Sequence, residues 1–270
     1  MKKTMSPQML KQIKSFWNWF EKNESTIFAA FTDRVNYDEV FDGLSKKLNY
    51  VSKRIAYIII ETKKNPVKAK IIFTAEGYRK LFPKINALVD NAPKLLNWEF
   101  QSLIQPHTDL EKFKQGLDNP YKFADFEIKI SDVYFKPLEI NTVQKKMSIL
   151  VFLENYRYHY DNDFLIEAVQ ILIQDLVGEV DFKRTISMVK LTQLPDKPKN
   201  LINLYQLKEY IDFLNNLNRR RRGLRRDRDQ GMMRLYFTPV SVAPAMNPCW
   251  PKTSAITGAI SVVSLPMDPP

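Results

Sequence analysis

Apolar residues recur at intervals of three and four positions in five stretches of the chain, which is the spacing of one face of an α-helix. The first stretch follows Ser6 and Pro7, residue types that are favoured at the N-cap and the first position of a helix. The fourth begins after Asn162 or Asp163 and ends at Gly178, a common residue at helix C-termini. The pattern therefore predicts five helices with these apolar stripes: Leu10, Ile13, Trp17 and Phe20; Val40, Phe41, Leu44 and Leu48; Tyr78, Leu81, Phe82, Ile85, Leu88, Val89 and Ala92; Leu165, Ala168, Val169, Leu172 and Leu176; Leu204, Leu207, Ile211 and Leu214.

Runs rich in β-branched and aromatic residues lie between these helices and predict strands. The first two runs are separated by a short polar turn at 63–66, which is typical of a hairpin. Consecutive strands joined by short turns favour antiparallel pairing, so the sequence predicts an α+β fold with an antiparallel or mixed sheet and helices packed mainly on one face. The predicted strands are Arg54–Thr62, Lys68–Thr74, Trp98–Gln105, Phe126–Ile130, Val133–Ile140, Met147–Glu154 and Thr185–Leu191.

The third helix is preceded by the turn Thr74 to Gly77 (TAEG), directly after the second strand. Backbone N–H groups at a turn from strand to helix can bind an anion. Glu76 already supplies a negative charge at this point, and Thr74 is a suitable N-cap. An ordinary helix start is therefore favoured over a phosphate site.

Two different compositions meet just after Asn218. Residues 1–218 contain 27 lysines and 5 arginines, whereas residues 219–270 contain 1 lysine, 8 arginines and 7 of the 16 prolines. The first part is long enough to bury a large core; its length allows one large domain or a tightly joined pair, and a single globular domain is predicted. The apolar residues of the tail show little periodicity, and the tail is predicted to be disordered. Because Lys, Asn and Ile have AT-rich codons while Arg, Pro and Ala have GC-rich ones, a frameshift, a read-through or an artificial junction is favoured over a native basic tail.

Composition excludes several classes of enzyme. Residues 1–218 contain four glycines and no cysteine, so they can form no phosphate-binding loop, no GxGxxG motif and no thiol nucleophile. The sequence has no GxSxG motif, and its two histidines, His107 and His159, are too few and too far apart for HExxH or a three-histidine zinc site. Neither a cofactor nor a metal is therefore predicted.

Charge and hydropathy narrow the range of partners. The formal net charge is +11, but residues 219–270 contribute more than half of it, so nucleic-acid binding is expected only through the tail. Polar residues interrupt any export signal that Lys2 and Lys3 begin, and the longest apolar runs, 56–60 and 149–153, are too short to cross a bilayer. The sequence predicts a cytoplasmic protein with no membrane association.

The segment Ile71 to Pro106 (IIFTAEGYRKLFPKINALVDNAPKLLNWEFQSLIQP) joins a strand ending in TAxG to the pairs FP and AP and to a WxF strand. Together with Phe16 to Phe20 (FWNWF) and Val177 to Asp181 (VGEVD), it resembles an uncharacterised bacterial protein family over residues 10–195. The resemblance implies a bacterial, intracellular protein of unknown activity. It supplies no catalytic residues and does not extend to the tail.

The strongest local candidate for chemistry is the segment YHYDND, residues 158–163. If this segment is extended, His159, Asp161 and Asp163 lie on one side of it, and an imidazole with two carboxylates can hold a divalent metal or transfer protons. A polar turn that caps the following helix explains the same residues and is favoured.

Two other polar segments are candidates. Glu179 and Asp181 follow Gly178 and can form an acidic pair in a cleft, although a surface loop is the commoner setting for carboxylates. His107 follows the predicted strand end at Pro106, where loops often carry functional residues, although a polar loop is expected there.

The sequence favours a non-catalytic interaction or binding module of the adaptor or immunity type, because core-forming residues are abundant and no nucleophile motif is present. Such a module has a protein partner. Trp19 lies outside the apolar stripe of the first helix and is the candidate residue for the partner surface. Packing of Trp19 on a neighbouring element is an equal alternative.

Two alternative functions remain open. The first is a metal-assisted or acid–base enzyme that uses the His159, Asp161 and Asp163 cluster, with Glu179 as a possible fourth group. The second is nucleic-acid binding through the basic run 219–228, in which Arg side chains neutralise phosphates. The candidate residues of that run are Arg219, Arg220, Arg221 and Arg222.

Overall fold

The computed structural model describes residues 6–62, 68–108, 110–123 and 125–223, with side chains as far as residue 216. Within these residues the buried side chains form two hydrophobic cores. One core draws on residues up to Leu103 and the other on residues from Phe113 onward. We call the two parts of the chain the first lobe and the second lobe.

The first lobe contains four α-helices and a three-stranded sheet. The sheet has the order β1-β2-β3, in which β1 and β2 are antiparallel and β2 and β3 are parallel. Its elements are α1 (Pro7–Lys22), α2 (Glu24–Asp33), α3 (Tyr37–Val51), β1 (Ala56–Glu61), β2 (Ala69–Thr74), α4 (Phe82–Asp90) and β3 (Trp98–Ser102).

The core of the first lobe is rich in aromatic side chains. The buried stripe of α1 contributes Phe16 and Trp17, which meet Phe73 of β2 edge to face at ring-centroid distances of 6.2 and 6.0 Å. Trp17 also packs edge to face on Phe100 of β3, at 4.6 Å. Its indole N–H donates a hydrogen bond to the backbone oxygen of Leu88 (2.8 Å), so the polar atom of this buried ring is satisfied and α4 is fixed against α1.

The second lobe contains a four-stranded sheet in the order β8-β7-β6-β9 and a separate pair, β4 and β5. The strands β6 and β7 form an antiparallel hairpin, whereas β7 and β8 are parallel and are connected through helices. Its elements are α5 (Glu111–Lys114), β4 (Tyr121–Lys122), β5 (Glu127–Ile128), β6 (Tyr134–Asn141), β7 (Lys146–Leu153), α6 (Tyr156–His159), α7 (Phe164–Val177), α8 (Glu179–Thr185), β8 (Ile186–Gln193), β9 (Ile202–Asn203) and α9 (Leu207–Gly223).

The core of the second lobe is mainly aliphatic. Alternate residues of β7, including Ile149 and Val151, are fully buried because successive strand side chains point to opposite faces. They lie in one cluster with the α7 stripe, including Leu172 and Leu176, and with Ile211 of α9. The helices therefore cover the face of the sheet on which the odd-numbered residues of β7 lie.

The predicted α+β class with a mixed sheet is confirmed, and the first two strands pair antiparallel as expected for a hairpin. The third predicted helix begins later than its apolar pattern. A 3-10 turn at Arg79–Leu81 precedes α4, so Pro83 lies in the first turn of that helix and Thr74 is not its N-cap. The expectation that Thr74 caps a helix is therefore wrong.

The last described helix, α9, ends at Gly223, so the change in composition after Asn218 falls inside a helix. Residues 224–270, which contain most of the tail predicted to be disordered, lie outside the described residues. The prediction of a single domain for residues 1–218 stays a prediction. None of the helices in the described part of the chain is long and apolar enough to span a membrane.

Candidate functional site

The YHYDND segment is not extended, because its residues form the end of α6 and the turn before α7. The alternation that would place His159, Asp161 and Asp163 on one side is therefore missing. No group of three or more His, Cys, Asp or Glu side chains that could hold a metal occurs among the residues that the structure describes. The His159 ring instead lies 5.2 Å from the ring of Phe126, so this imidazole packs on an aromatic side chain.

Three aromatic side chains are exposed where α6 meets α7. Tyr158, Tyr160 and Phe164 keep 80%, 69% and 65% of their surface accessible to solvent. Aromatic side chains have the largest apolar surfaces, so a group of them in contact with water is typical of a surface that binds another molecule. We call these three residues the aromatic corner.

Hydrogen bonds on both sides of α6 fix the aromatic corner. The side-chain oxygen of Gln193, at the end of β8, accepts from the backbone N–H of Arg157 (2.9 Å), and its amide nitrogen donates to the backbone oxygen of Glu154. The side chain of Asn162 accepts from the N–H of Phe164 (2.9 Å) and closes a turn at the start of α7. Asp163 therefore lies at the N-cap position of α7 but makes no side-chain capping bond, whereas Asn162, one residue earlier, supplies the side-chain hydrogen bond.

The aromatic corner is acidic, although the whole chain has a formal net charge of +11. The carboxylates of Glu154, Asp161, Asp163 and Glu167 are exposed around it. Arg157 is the only Lys or Arg between residues 154 and 167. The two aspartates that the sequence offers as metal ligands are therefore surface charges beside exposed aromatic rings.

A depression of about 80 Å³ lies beside this corner. Its lining includes apolar residues such as Phe126, Leu153 and Leu165. It also includes these polar residues: Glu127, Lys129, Asp132, Glu154 and His159. Pockets for small molecules usually have volumes of about 300–1,000 Å³. The depression is therefore of a size that suits one side chain of a partner.

A buried carboxylate joins the two lobes. Glu179 at the start of α8 is 0% exposed. Its Oε2 accepts from the hydroxyl of Thr74 (2.9 Å) and from the N–H of Ile104 (3.5 Å). Its Oε1 accepts from the N–H groups of Ala75 (3.0 Å) and Gly77 (3.2 Å). The TAEG turn therefore does bind an anion, which is a side chain of the same protein, and the expectation of a surface loop for Glu179 is wrong.

Backbone contacts beside Glu179 strengthen this junction. The N–H of Glu179 donates to the backbone oxygen of Ile104 (2.9 Å). Gly178 has a φ of +84°, and a Cβ atom at this position would lie 2.9 Å from Cδ of Pro106. The close approach of α8 to residues 104–106 therefore requires glycine at position 178.

Lys183, one turn after Glu179, crosses the TAEG turn. Gly77 has a φ of +83°, a backbone conformation that favours glycine. A Cβ atom there would lie 1.8 Å from Cε of Lys183, so the flexible end of that side chain would have to move. Burial lowers the pKa of Lys183, and the carboxylate of Glu179 acts in the opposite direction. The lysine stem thus closes the junction over the buried carboxylate.

A second polar contact lies in the segment between the lobes. Nε2 of His107 is 3.2 Å from Oδ2 of Asp175, and the hydroxyl of Tyr121 donates to the same oxygen. Burial, followed by the negative charge of Asp175, raises the pKa of Tyr121, which therefore stays a hydrogen-bond donor. Because the N–H of His107 also donates to the backbone oxygen of Leu176 (3.2 Å), these bonds tie the connecting segment to α7.

The remaining predicted site residues lie apart from these features. Trp19 is half-buried on α1, and its ring lies 5.9 Å from Nζ of Lys47 and close to Gly43 of α3. It thus packs on a neighbouring helix, while its role in a partner surface stays a prediction. The candidate side chains of the basic run, Arg219, Arg220, Arg221 and Arg222, lie outside the described side chains, although their backbone belongs to α9.

Sequence analysis missed the aromatic corner, although the sequence contains a signal for it. Tyr158 and Tyr160 alternate with Arg157, His159 and Asp161. Aromatic residues in such a polar context lie outside any apolar stripe and are typical of a surface. The buried position of Glu179 has no comparable signal, because its hydrogen-bond donors on the TAEG turn are more than 100 residues away in the sequence.

No family model matches this chain, and neither a curated protein nor a solved structure matches it. The resemblance to an uncharacterised bacterial family therefore stays a prediction. Function rests on the geometry of the chain itself.

Proposed function

We propose that this chain is a non-catalytic binding module that recognises a protein through the aromatic corner. The observation that carries the proposal is the exposure of Tyr158, Tyr160 and Phe164 on a backbone fixed by Gln193 and Asn162. Aromatic side chains have few rotatable bonds, so they lose little conformational entropy on binding, and they are enriched in protein interfaces.

The charge around the corner favours a protein partner over a nucleic acid. Glu154, Asp161, Asp163 and Glu167 would repel phosphates, whether in nucleic acid or in an anionic membrane. The same carboxylates attract Lys and Arg side chains, and Tyr rings bind these cations on their faces. The partner is therefore a protein segment that carries basic and apolar residues together.

The depression beside the corner supports the same partner. Its lining combines apolar side chains with three acidic residues, Glu127, Asp132 and Glu154, and one lysine, Lys129. One apolar side chain of the partner fits this volume, while a basic neighbour reaches the surrounding carboxylates. Anchoring by one inserted side chain is a common feature of protein interfaces.

A binding experiment with matched variants tests the proposal. The full chain is incubated with a peptide array in which apolar content is constant and net charge varies from acidic to basic. We expect the wild-type protein to select basic peptides, and we expect the triple variant Tyr158→Ala, Tyr160→Ala, Phe164→Ala to lose this selection.

The control removes equally exposed apolar side chains elsewhere. Tyr50, Leu96 and Val143 are 71%, 79% and 90% exposed, and the triple variant with alanine at these positions should bind like wild type. Selection of acidic peptides by the wild-type protein, no selection at all, or equal loss of binding in both triple variants would contradict the proposal.

A further inference from the structure

One edge of the first-lobe sheet has unpaired backbone groups. Within the described residues, β1 pairs with β2 alone. The N–H of Thr62 donates to the backbone oxygen of Lys68 (2.7 Å). Because hydrogen-bonded and non-hydrogen-bonded pairs alternate in an antiparallel ladder, this bond shows which backbone groups of β1 face β2. Backbone groups point to alternate sides along a strand, so those of Tyr57 and Ile59 face away from β2. They have no hydrogen-bond partner in the part of the chain that the structure describes.

The side chains of β1 do not protect this edge. Natural edge strands usually carry a lysine, a proline or a bulge that prevents pairing with another chain. The sequence of β1 is AYIIIE, and its first five residues are apolar or aromatic and half-buried. A regular, apolar edge of this kind is a template for an additional strand.

The second lobe has an edge strand of the protected type. Strand β8 carries the exposed Lys190 at its centre, and its ladder with β7 shifts register between Met147 and Ser148. A twofold pairing of β8 around this residue would oppose the lysines of two copies, which is unfavourable. The edges formed by β1 and by β8 therefore differ in their ability to pair with the same strand of a second copy.

We propose that β1 pairs antiparallel with β1 of a second copy of this chain, around a twofold axis at Ile58. In this register Tyr57 lies opposite Ile59 of the second copy, and their outward backbone groups form about four hydrogen bonds in the dimer. Ile58 meets its own symmetry mate. The two three-stranded sheets become one continuous sheet of six strands.

Charge complementarity favours a second copy as the occupant. Glu61 ends β1, and the exposed Lys53 and Arg54 precede it. Antiparallel pairing brings the acidic end of one strand to the basic end of the other. No like charges are opposed within β1 itself, since its other five residues are uncharged. The interface lies in the first lobe, so it is independent of the function proposed for the aromatic corner.

The oligomeric state of the full chain tests the proposal. We expect a dimer in sedimentation velocity at roughly 1–100 µM. Ile58→Lys places two ammonium groups at the axis and should weaken the dimer by about tenfold or more. Met188 is exposed on the other edge strand, β8, so Met188→Lys is the matched control and should leave the dimer intact. A monomeric wild-type protein, or equal effects of the two substitutions, would overturn the proposal.

A cross-linking experiment tests the register without adding charge. The sequence has one cysteine, Cys249, which is first replaced by serine. Facing residues of a non-hydrogen-bonded antiparallel pair have Cα atoms about 4.5 Å apart, a separation that a disulfide can bridge. Ile58→Cys should therefore form a covalent dimer under mild oxidation, while Met188→Cys should not. A covalent dimer of the Met188→Cys variant alone would show that the interface is elsewhere.

Discussion

The two lobes of this protein bury their side chains in different ways. The core of the first lobe has aromatic rings packed edge to face around Trp17, whereas the core of the second lobe is filled mainly by aliphatic residues such as Ile149 and Leu172. The surfaces of the two lobes also differ. The first lobe has an apolar sheet edge, and the second has a group of exposed aromatic rings. Aromatic residues thus fill the core of one lobe and are exposed to solvent on the other, depending on whether the fold covers them.

The junction between the lobes is polar, in contrast to both cores. Glu179 takes four hydrogen bonds from residues of the first lobe and of the segment that follows it, while its own helix belongs to the second lobe. A buried carboxylate is strongly unfavourable unless it is fully hydrogen-bonded. It therefore fixes one relative arrangement of the residues that it contacts.

The largest expected effect comes from Glu179→Ala. This substitution leaves the hydroxyl of Thr74 and three backbone N–H groups without their acceptor in a buried place. We expect a loss of about 3–5 kcal/mol in the free energy of unfolding, measured by urea denaturation. Glu167→Ala is the control, because Glu167 is an exposed carboxylate in the first turn of α7, and it should cost about 0.5 kcal/mol or less. Equal losses in the two variants would show that the junction contributes little.

Gly77→Ala should have the next largest effect. It displaces the flexible end of Lys183 in addition to the cost of a positive φ, whereas Gly116→Ala adds only the cost of the φ of +68°, since no atom lies within 4 Å of its Cβ position. We expect losses of about 1–2 kcal/mol for Gly77→Ala and about 1 kcal/mol for Gly116→Ala.

A second substitution separates the two contributions at Gly77. Shortening the lysine in the double variant Gly77→Ala, Lys183→Ala should remove the collision and leave only the backbone term. Relative to Lys183→Ala alone, the loss on adding Gly77→Ala should then be close to that of Gly116→Ala. A loss that remains as large as with the lysine present would show that Lys183 does not limit the space at Gly77.

High pH should weaken the first lobe through Tyr57. Burial raises the pKa of Tyr57 to about 12, from an ordinary value of 10.0. Between these values the folded protein keeps the phenolic proton, while the unfolded chain has lost it. Stability therefore falls as the pH rises from about 10 to 12. Unfolding measured across this window should show a smaller decrease for Tyr57→Phe than for wild type. Tyr50→Phe is the control because Tyr50 is exposed, and an unchanged pH profile for Tyr57→Phe would contradict the assignment.

The smallest effect on stability is expected at the aromatic corner. Tyr158, Tyr160 and Phe164 are more than half exposed, so replacing all three with alanine should change the free energy of unfolding by about 0.5 kcal/mol or less per residue. Thermal unfolding of this triple variant measures the sum. A large loss would show that these rings support the fold, and it would remove the main support for a binding surface.

The sequence predicts the local elements well, because each of them depends on neighbouring residues. The stripe of Trp17 and Phe20 predicts α1, and the polar turn at 63–66 predicts the pairing of β1 with β2. The parallel pairing of β7 with β8 is not evident from the sequence, because the strands are separated by α6, α7 and α8. Contacts between residues that are so far apart in the sequence depend on how the helices pack on the sheet.

The candidate site is predictable only in part, for the same reason. The polar turn predicted at residues 158–163 does precede a helix. However, His159 ends α6 and the two aspartates lie in the turn that follows, so these residues do not alternate as they would in a strand. A pattern of alternating residues implies convergence only in an extended strand. Glu179 looks like a surface carboxylate in the sequence because its burial depends on a turn 102–105 positions away.

Glu179 should couple the unfolding of the two lobes, and two optical probes measure this coupling in one experiment. The tryptophans in the described part of the chain are Trp17, Trp19 and Trp98, all in the first lobe. In a Trp250→Phe background, tryptophan fluorescence therefore reports the first lobe and far-ultraviolet circular dichroism reports both lobes. With Glu179 present, we predict urea transitions that coincide by the two probes; with Glu179→Ala, we predict transitions that separate. Transitions that still coincide at an unchanged midpoint after the substitution would contradict the claim.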